Sequence, residues 1–394
     1  MLKGKTVVLG VTGSIAAYKI ANLARMLVKQ HCEVHVLMTQ NATNFINPIT
    51  FETLTKHKCL IDTFDRNFEF SVEHVALAKA ADVVMIAPAS ANVIGKIANG
   101  IADDMLTTTV MACPCKKIVS PAMNHNMFHN PIVQDNIEKL KHYGYEIVEP
   151  AHGMLANGDM GDGRMPDEEL LFEYIVKEIA FEKDMTGKKV LVTAGATVEA
   201  IDPVRFITNH SSGKMGFALA KNAMLRGADV TLVMGKCDSE PPVFVNTVKV
   251  QSAKDMYDAV IERADSMDII VKAAAVADYR PKSVSSEKVK KQDGNMSIEL
   301  ERTDDILKTL GERKNGQFIC GLSMETENML ENSRKKLEKK NCDMIVANNL
   351  KQDGAGFGGN TNIVTIITKD DEVQLEKMTK DEVAEKIFDF ILSR

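Results

Sequence analysis

The sequence predicts an α/β protein built from two Rossmann-like, doubly wound domains. Three observations predict it. Short aliphatic runs recur along the chain, each followed by a turn of small residues and a segment of helical spacing. That alternation implies parallel strands covered by helices on both faces. At Asp184-Met185-Thr186-Gly187-Lys188-Lys189 the chain starts over, and Gly187-Lys188-Lys189-Val190-Leu191-Val192 echoes Gly4-Lys5-Thr6-Val7-Val8-Leu9. The length of 394 residues also exceeds the ~150 typical of one domain. The boundary is expected near residue 185, which gives domains 1–185 and 186–394.

In the first domain, Lys5 to Gly10 reads as a strand buried on both faces. Gly10 to Ser14 is its turn and Ala16 to Gln30 its helix. Glu33 to Met38 and Asp82 to Ala87 are further strands, the latter followed by a polar turn and a helix through Ile97. Lys117 to Ser120 and Glu146 to Val148 complete the expected sheet. Pro150 to Pro166 holds Gly153, Gly158, Gly161 and Gly163 and reads as a long loop. Leu170 to Glu182 reads as a helix. In the second domain, strands are expected at 189–194, 229–234, 268–273, 317–320 and 343–347. Val284 to Asn295 reads as an exposed loop or hairpin. The tail Asp381 to Leu392 reads as a helix packing Val383, Ile387, Phe390 and Ile391 on one face.

Composition narrows the function classes. Hydrophobic residues make up 45% and charged residues 26%, ordinary for a globular protein. No apolar run approaches the ~18 residues of a membrane helix. The opening Met1 to Gly13 has the wrong length and flanks for a signal peptide. A net charge of −6 with both signs interspersed argues against a broad nucleic-acid surface. Seven scattered cysteines, including Cys113-Pro114-Cys115 with no second pair, imply a reduced, cytoplasmic chain. No protein metal site is expected.

Three turns in the first half suit a flat, phosphorylated ligand. Gly10-Val11-Thr12-Gly13-Ser14 offers free backbone N–H groups at a helix start, beside the Ser14 hydroxyl. The same turn also fits an ordinary strand-to-helix connection. Pro88-Ala89-Ser90-Ala91-Asn92 and Pro121-Ala122-Met123-Asn124-His125-Asn126-Met127 each follow a strand, where open α/β sheets bind ligands. His74 lies just before a helical segment. Imidazole titrates near neutrality and suits a general base.

The order and spacing of these stretches, with Pro88 to Asn92 continuing to Gly100-Ile101-Ala102-Asp103-Asp104, make the first half resemble the homo-oligomeric flavin-containing cysteine decarboxylases. The resemblance implies a flavodoxin-like domain binding FMN through Gly13, Ser14, Thr39, Ser90 and Asn92. It implies His74 as the base, with Asn124 and Met127 about the substrate carboxylate. In that family flavin oxidises the substrate thiol to a thioaldehyde, which supplies the electron sink for loss of CO2. The enethiolate so formed takes back a hydride from reduced flavin and a proton from an acid. Two positions depart from the family pattern. Phe128 replaces the usual Trp. In the flap Ala156-Asn157-Gly158-Asp159-Met160-Gly161-Asp162-Gly163-Arg164, the glycines, Asp159 and Arg164 match, but Asn157 stands where the family has its proton-donating Cys. Either another donor, such as water or Asp159, completes the reaction, or it stops at the enethiol.

In the second half, Ser211-Ser212-Gly213-Lys214-Met215-Gly216 opens a helix and reads as an anion cradle. Preceded by Asp202 to His210, it closely resembles phosphopantothenate–cysteine ligase. The resemblance implies Asn209 in the acyl-nucleotide step and Lys288 near the reacting phosphates. It places Ala273, Ala274, Asp278, Asp304, Asp305, Ile306, Leu307 and Leu322 in the nucleotide pocket. Lys336 and Lys340, one helical turn apart, would meet the triphosphate.

Nearly the whole chain is thus similar to the fused bacterial family of phosphopantothenoylcysteine decarboxylase/phosphopantothenate–cysteine ligases of coenzyme A synthesis. That implies a C-terminal nucleotide-binding ligase domain using 4′-phosphopantothenate, cysteine and CTP, with Mg2+ accompanying the nucleotide. The decarboxylase domain would convert the product to 4′-phosphopantetheine. The family's habit predicts a homo-oligomer, a dodecamer of trimers through the first domain and dimers through the second. The rival expectation is an active ligase beside a flavin domain that is regulatory or stops at the enethiol.

Overall fold

Val, Ile and Leu runs form strands buried on both faces, as parallel sheets require. In the computed structural model, which describes residues 2–63, 73–154, 158–290, 296–325, 328–349 and 359–394, the chain divides into two compact units between Phe181 and Glu182.

The first unit holds β1 (Thr6–Val11), β2 (Glu33–Met38), β3 (Val83–Ala89), β4 (Lys116–Pro121) and β5 (Glu146–Ile147). They form one parallel sheet in the order β2-β1-β3-β4-β5. Every residue of β3 is buried, so the strand lies at the centre of the core. The helices are α1 (Ile20–Lys29), α2 (Pro48–Thr55), α3 (Glu73–Ala80), α4 (Ala91–Ala98), α5 (Met105–Ala112), α6 (His125–Phe128), α7 (Pro131–His142) and α8 (Glu168–Ile179). Helix α1 buries Ile20, Leu23, Ala24 and Leu27, the spacing of one helical face. The strand order reverses between β1 and β3, and ligands of such sheets bind at that crevice, outside the carboxyl ends of the strands.

The segment read as a long loop is instead an antiparallel hairpin, β6 (Ala151–Met154) with β7 (Met160–Arg164). Its strands carry glycines where β-branched residues would normally announce a strand. The glycines serve close approach. Gly163 has φ +114°, and a Cβ there would sit 2.3 Å from the Met123 carbonyl oxygen. A Cβ on Gly161 would sit 2.6 Å from Nδ1 of His125.

The second unit contains β8 (Lys189–Ala194), β9 (Val198–Ala200), β10 (Phe206–Thr208), β11 (Asp229–Met234), β12 (Asn246–Lys249), β13 (Ile269–Lys272), β14 (Tyr279–Pro281), β15 (Leu300–Arg302), β16 (Phe318–Glu325), β17 (Met344–Asn349), β18 (Thr361–Asn362), β19 (Val364–Thr368), β20 (Glu372–Gln374) and β21 (Met378–Thr379). Its main sheet runs β12-β11-β8-β13-β16-β17-β19-β20. The first six strands are parallel, in the dinucleotide-binding order with its switch point between β8 and β13. Strands β19 and β20 join antiparallel. Helices α9 (Lys214–Leu225), α10 (Ala253–Ala264), α11 (Ile306–Glu312), α12 (Met329–Lys339) and α13 (Lys380–Leu392) cover it.

Two expectations change here. Strand β16 runs on to Glu325 rather than ending at Cys320. In α13 the buried aromatic is Phe388, while Phe390 is half-buried beneath the Arg394 guanidinium, 4.8 Å from its ring centre. Val383, Ala384, Ile387, Phe388 and Ile391 form the buried face, which the 3.6-residue period selects.

Candidate functional site

In the first unit, the turns after β1 and β3 are tied by one buried hydroxyl. Thr12 Oγ1 donates to the Pro88 carbonyl at 2.7 Å and accepts from the Ser90 N–H at 2.9 Å. Ser14 caps the following 3-10 turn, and Ser90 caps α4 by accepting from the Val93 N–H at 3.4 Å. A Cβ on Gly13 would lie 2.9 Å from Asn41 Cβ, so the turn needs glycine. Thr39 follows β2, and its Oγ1 is buried with no hydrogen-bond partner among the described residues. An orphaned hydroxyl of this kind marks a place where an external polar group fits.

A cavity of about 460 Å³ adjoins this edge. Ser14, Tyr18, Lys19, Met123, Asn124, Gly163 and Arg164 are among its lining residues. Asn124 starts α6 by accepting from the Asn126 N–H at 2.9 Å. The hairpin is pinned beside it, with the Met123 N–H donating to the Gly163 carbonyl at 3.0 Å. Asp167 holds two cations at the rim, Lys19 Nζ at 2.9 Å and Arg164 Nη2 at 3.3 Å. The Lys19 ammonium keeps its carboxyl below the usual carboxylate range. The structure therefore brings Ser14, Asn124 and Arg164 together. Gly13, Thr39, Ser90 and Asn92 lie at or beyond the ends of β1, β2 and β3, outside the cavity's lining. His74 is half-buried on α3 and also outside that lining, and Asp159 is exposed. Asn157 falls outside the described residues.

In the second unit, buried threonines again set the loops. Thr193 Oγ1 accepts from the N–H groups of Ala273 at 3.1 Å and Ala274 at 3.0 Å. Thr197 Oγ1 accepts from the Ala277 N–H at 3.0 Å. Beside this loop lies a polar cavity of about 380 Å³. Asp278, Asp304, Asp305, Ile306, Leu307, Leu322, Lys336 and Lys340 all line it, joined by Lys272 and Arg302. Lys340 pairs with Asp305, and Lys336 Nζ donates to Ser323 Oγ at 3.3 Å. Burial, with the Lys336 charge nearby, pushes the Lys272 ammonium down to about 8. A ligand carrying negative charge would relieve that crowding of cations. A neighbouring recess is lined by Ser211, Ser212, Gly213, Lys214, Ala273 and Lys380, and Leu322 lies on its boundary with the first.

Asn209 and Lys288 line neither cavity. The exposed Asn209 donates through Nδ2 to the Ala275 carbonyl at 3.2 Å. Lys288 is exposed on a segment tethered to a buried carboxylate. The Val289 N–H donates to Asp202 Oδ2 at 3.2 Å, and Arg205 Nη2 donates to the Val289 carbonyl at 2.7 Å. The Arg205 guanidinium holds the Asp202 carboxyl far below its usual range. Sequence reasoning passed over Thr12, Thr193, Thr197, Asp202, Arg205 and Lys272 as functional residues. A lysine closing an aliphatic strand just before three alanines was the visible signal for Lys272.

The geometry defines an α/β protein of two units, each with a candidate ligand cavity at the carboxyl edge of a parallel sheet. A family model described as flavoprotein matches residues 1–180, and one described as DNA/pantothenate metabolism flavoprotein C-terminal domain matches residues 185–394. The coenzyme A biosynthesis bifunctional protein CoaBC of Bacillus subtilis (strain 168) is 48% identical over 373 residues, covering 94% of this chain and 92% of that one. Its counterpart in Vibrio cholerae serotype O1 is 42% identical over 393 residues, covering 99% and 98%. A cysteine/cysteine sulfinic acid decarboxylase from an unknown prokaryotic organism is 43% identical over 355 residues, covering 88% and 99%. The chain belongs to the CoaBC family of bifunctional coenzyme A biosynthesis proteins.

Proposed function

We propose that the second unit joins cysteine to 4′-phosphopantothenate at the expense of CTP, and that the first decarboxylates the product to 4′-phosphopantetheine. The observation that carries this is the gathering of Asp278, Asp305, Lys336 and Lys340 around one cavity of the second unit, together with a crevice in the first unit lined by Ser14, Asn124 and Arg164.

In the ligase unit, Lys272, Lys336 and Lys340 offset the triphosphate charge, and Mg2+ enters with the nucleotide as its counter-ion. The substrate carboxylate attacks the α-phosphate and pyrophosphate leaves; the cysteine nitrogen then attacks the acyl carbon of the acyl-cytidylate, loses a proton and displaces CMP. Asn209 and Lys288 act at the acyl and phosphate groups. Both stand on segments fixed to the loop after β13 or to Asp202.

In the decarboxylase unit, the residues fit FMN. The Thr39 hydroxyl is buried with no partner among the described residues, and the turn holding Gly13 and Ser14 lies at the switch point. Gly13 and Ser14 would hold the phosphate, with Thr39, Ser90 and Asn92 completing the cofactor contacts. FMN supplies reversible oxidation of the substrate thiol, which gives the electron sink for loss of CO2. Asn124 and Arg164 orient the substrate carboxylate and cover it. His74 acts as the base from a second copy of the chain. The cavity lining includes Ile15, Tyr18 and Met154, at 56%, 61% and 68% exposure. Apolar exposure of that kind fits a surface that another subunit covers. The assembly is the dodecamer of trimers and dimers. The final proton comes from water or Asp159, because Asn157 stands where the family has its proton-donating Cys.

His74→Asn tests the division of labour. It should slow decarboxylation by about 10²-fold or more and leave CTP-dependent ligation intact. Loss of both activities would contradict two independent sites.

A further inference from the structure

Outside the crevice, the hairpin is fastened to α6 by a knot of imidazoles. Asp162 Oδ2 lies 2.9 Å from His129 Nε2, and its Oδ1 lies 2.9 Å from His152 Nδ1. The Asp162 N–H donates to His125 Nδ1 at 3.1 Å. His125 and His129 are four residues apart, with ring centres 4.4 Å apart. One ligand atom from each of His125, His129 and Asp162 lies within 4.8 Å of the others. Metal–nitrogen and metal–oxygen bonds of about 2.0–2.2 Å place tetrahedral ligand atoms about 3.4 Å apart, so small ring rotations complete the site.

We propose that His125, His129 and Asp162 form a binding site for a divalent late first-row ion of the Zn2+ class, which clamps the hairpin onto α6. Two imidazoles and one carboxylate suit such ions better than Mg2+ or Ca2+, and solvent completes the coordination. The i, i+4 pair presents two nitrogens to one side, and the hairpin brings the carboxylate across, with His152 held on its other oxygen. Gly161 lets the hairpin backbone lie against the His125 ring. The clamp acts on the crevice through the chain itself, because Asn124 directly precedes His125 and Gly163 directly follows Asp162. This site stands apart from the two proposed reactions, and nothing in them requires it.

A second trio, Glu33, His35 and His57, also gathers ligand atoms within 4.8 Å. It offers the same number of donors, with its two rings packed at 4.4 Å and a 32° tilt. It therefore provides the control. The test titrates Co2+ into the full-length chain carrying no histidine tag, reading visible d–d absorption and metal content after dialysis. One Co2+ per chain with tetrahedral bands is expected. His129→Gln and Asp162→Asn should each weaken binding at least tenfold, whereas His57→Gln should leave it unchanged. His129 is exposed, and His125→Gln provides a further variant should either of the first two fail to fold. Absence of cobalt bands would overturn the proposal. So would binding that survives His129→Gln and His125→Gln but disappears in His57→Gln.

Discussion

At the scale of single residues, the ligase cavity depends on charge placed where water is scarce. Lys340 is only 14% exposed in its side chain and pairs with Asp305. Lys340→Gln removes the ammonium that we propose meets the triphosphate and takes away the cation paired with Asp305. Such contacts are worth ~1.5–3 kcal/mol, so KM for CTP should rise at least tenfold. Steady-state kinetics with CTP varied reads this directly, and an unchanged KM would remove Lys340 from the nucleotide site. The sequence pointed to Asp278, Asp304, Asp305, Lys336 and Lys340, which the fold gathers around one cavity, because short ordered motifs carry them. The buried hydroxyls were not. Thr12 and Thr193 look like ordinary β-formers, and only the fold shows that each holds two loop groups together. Thr193→Val should cost about 1–3 kcal/mol for each unmatched N–H, measured as a lower unfolding midpoint.

At the scale of elements, the hairpin β6–β7 is the part that sequence patterning hid. Strands announce themselves through alternating side chains, and this one has glycines at Gly153, Gly161 and Gly163. The parallel strands were legible because both faces are buried and their aliphatic runs are continuous. The antiparallel β19 and β20 were not read. The edge strand β20 is short and fully exposed, so no buried face marks it. Gly163→Ala should push the hairpin off the Met123 carbonyl, given φ +114° and a 2.3 Å approach. Decarboxylation should fall sharply while ligation persists, as parallel assays of the two reactions will show. Phe388, fully buried on α13, gives the opposite pattern. Phe388→Ala should destabilise the ligase unit by about 3–5 kcal/mol, read as a lower thermal midpoint, with no change in the flavin-binding unit.

At the scale of the whole molecule, the echo at Gly187 marks a second α/β unit, and the fold class follows from it. What the echo cannot convey is the difference between the two sheets: five strands in one order, eight in another, with switch points at β1/β3 and β8/β13. Acid should also weaken the second unit through one buried cation. In the second, Arg226 is buried and pairs with Asp184 and Asp389 at 2.5 and 2.8 Å. The Arg226 guanidinium holds the Asp184 carboxyl below its usual range. A depressed folded-state pKa stabilises the fold above the unfolded value of about 3.9, and that contribution disappears as pH falls through the folded value. The midpoint difference between the wild type and Asp184→Asn should therefore be full at neutral pH and vanish in strong acid.

The most direct test is to incubate the purified chain with 4′-phosphopantothenate, cysteine, CTP and Mg2+ and weigh the products. The account predicts CTP-dependent formation of 4′-phosphopantetheine, made by both units and compatible with Asn157. A product lighter by two hydrogens, or the cysteine adduct alone, would contradict the completed decarboxylation. No CTP-dependent product at all would contradict the ligase assignment.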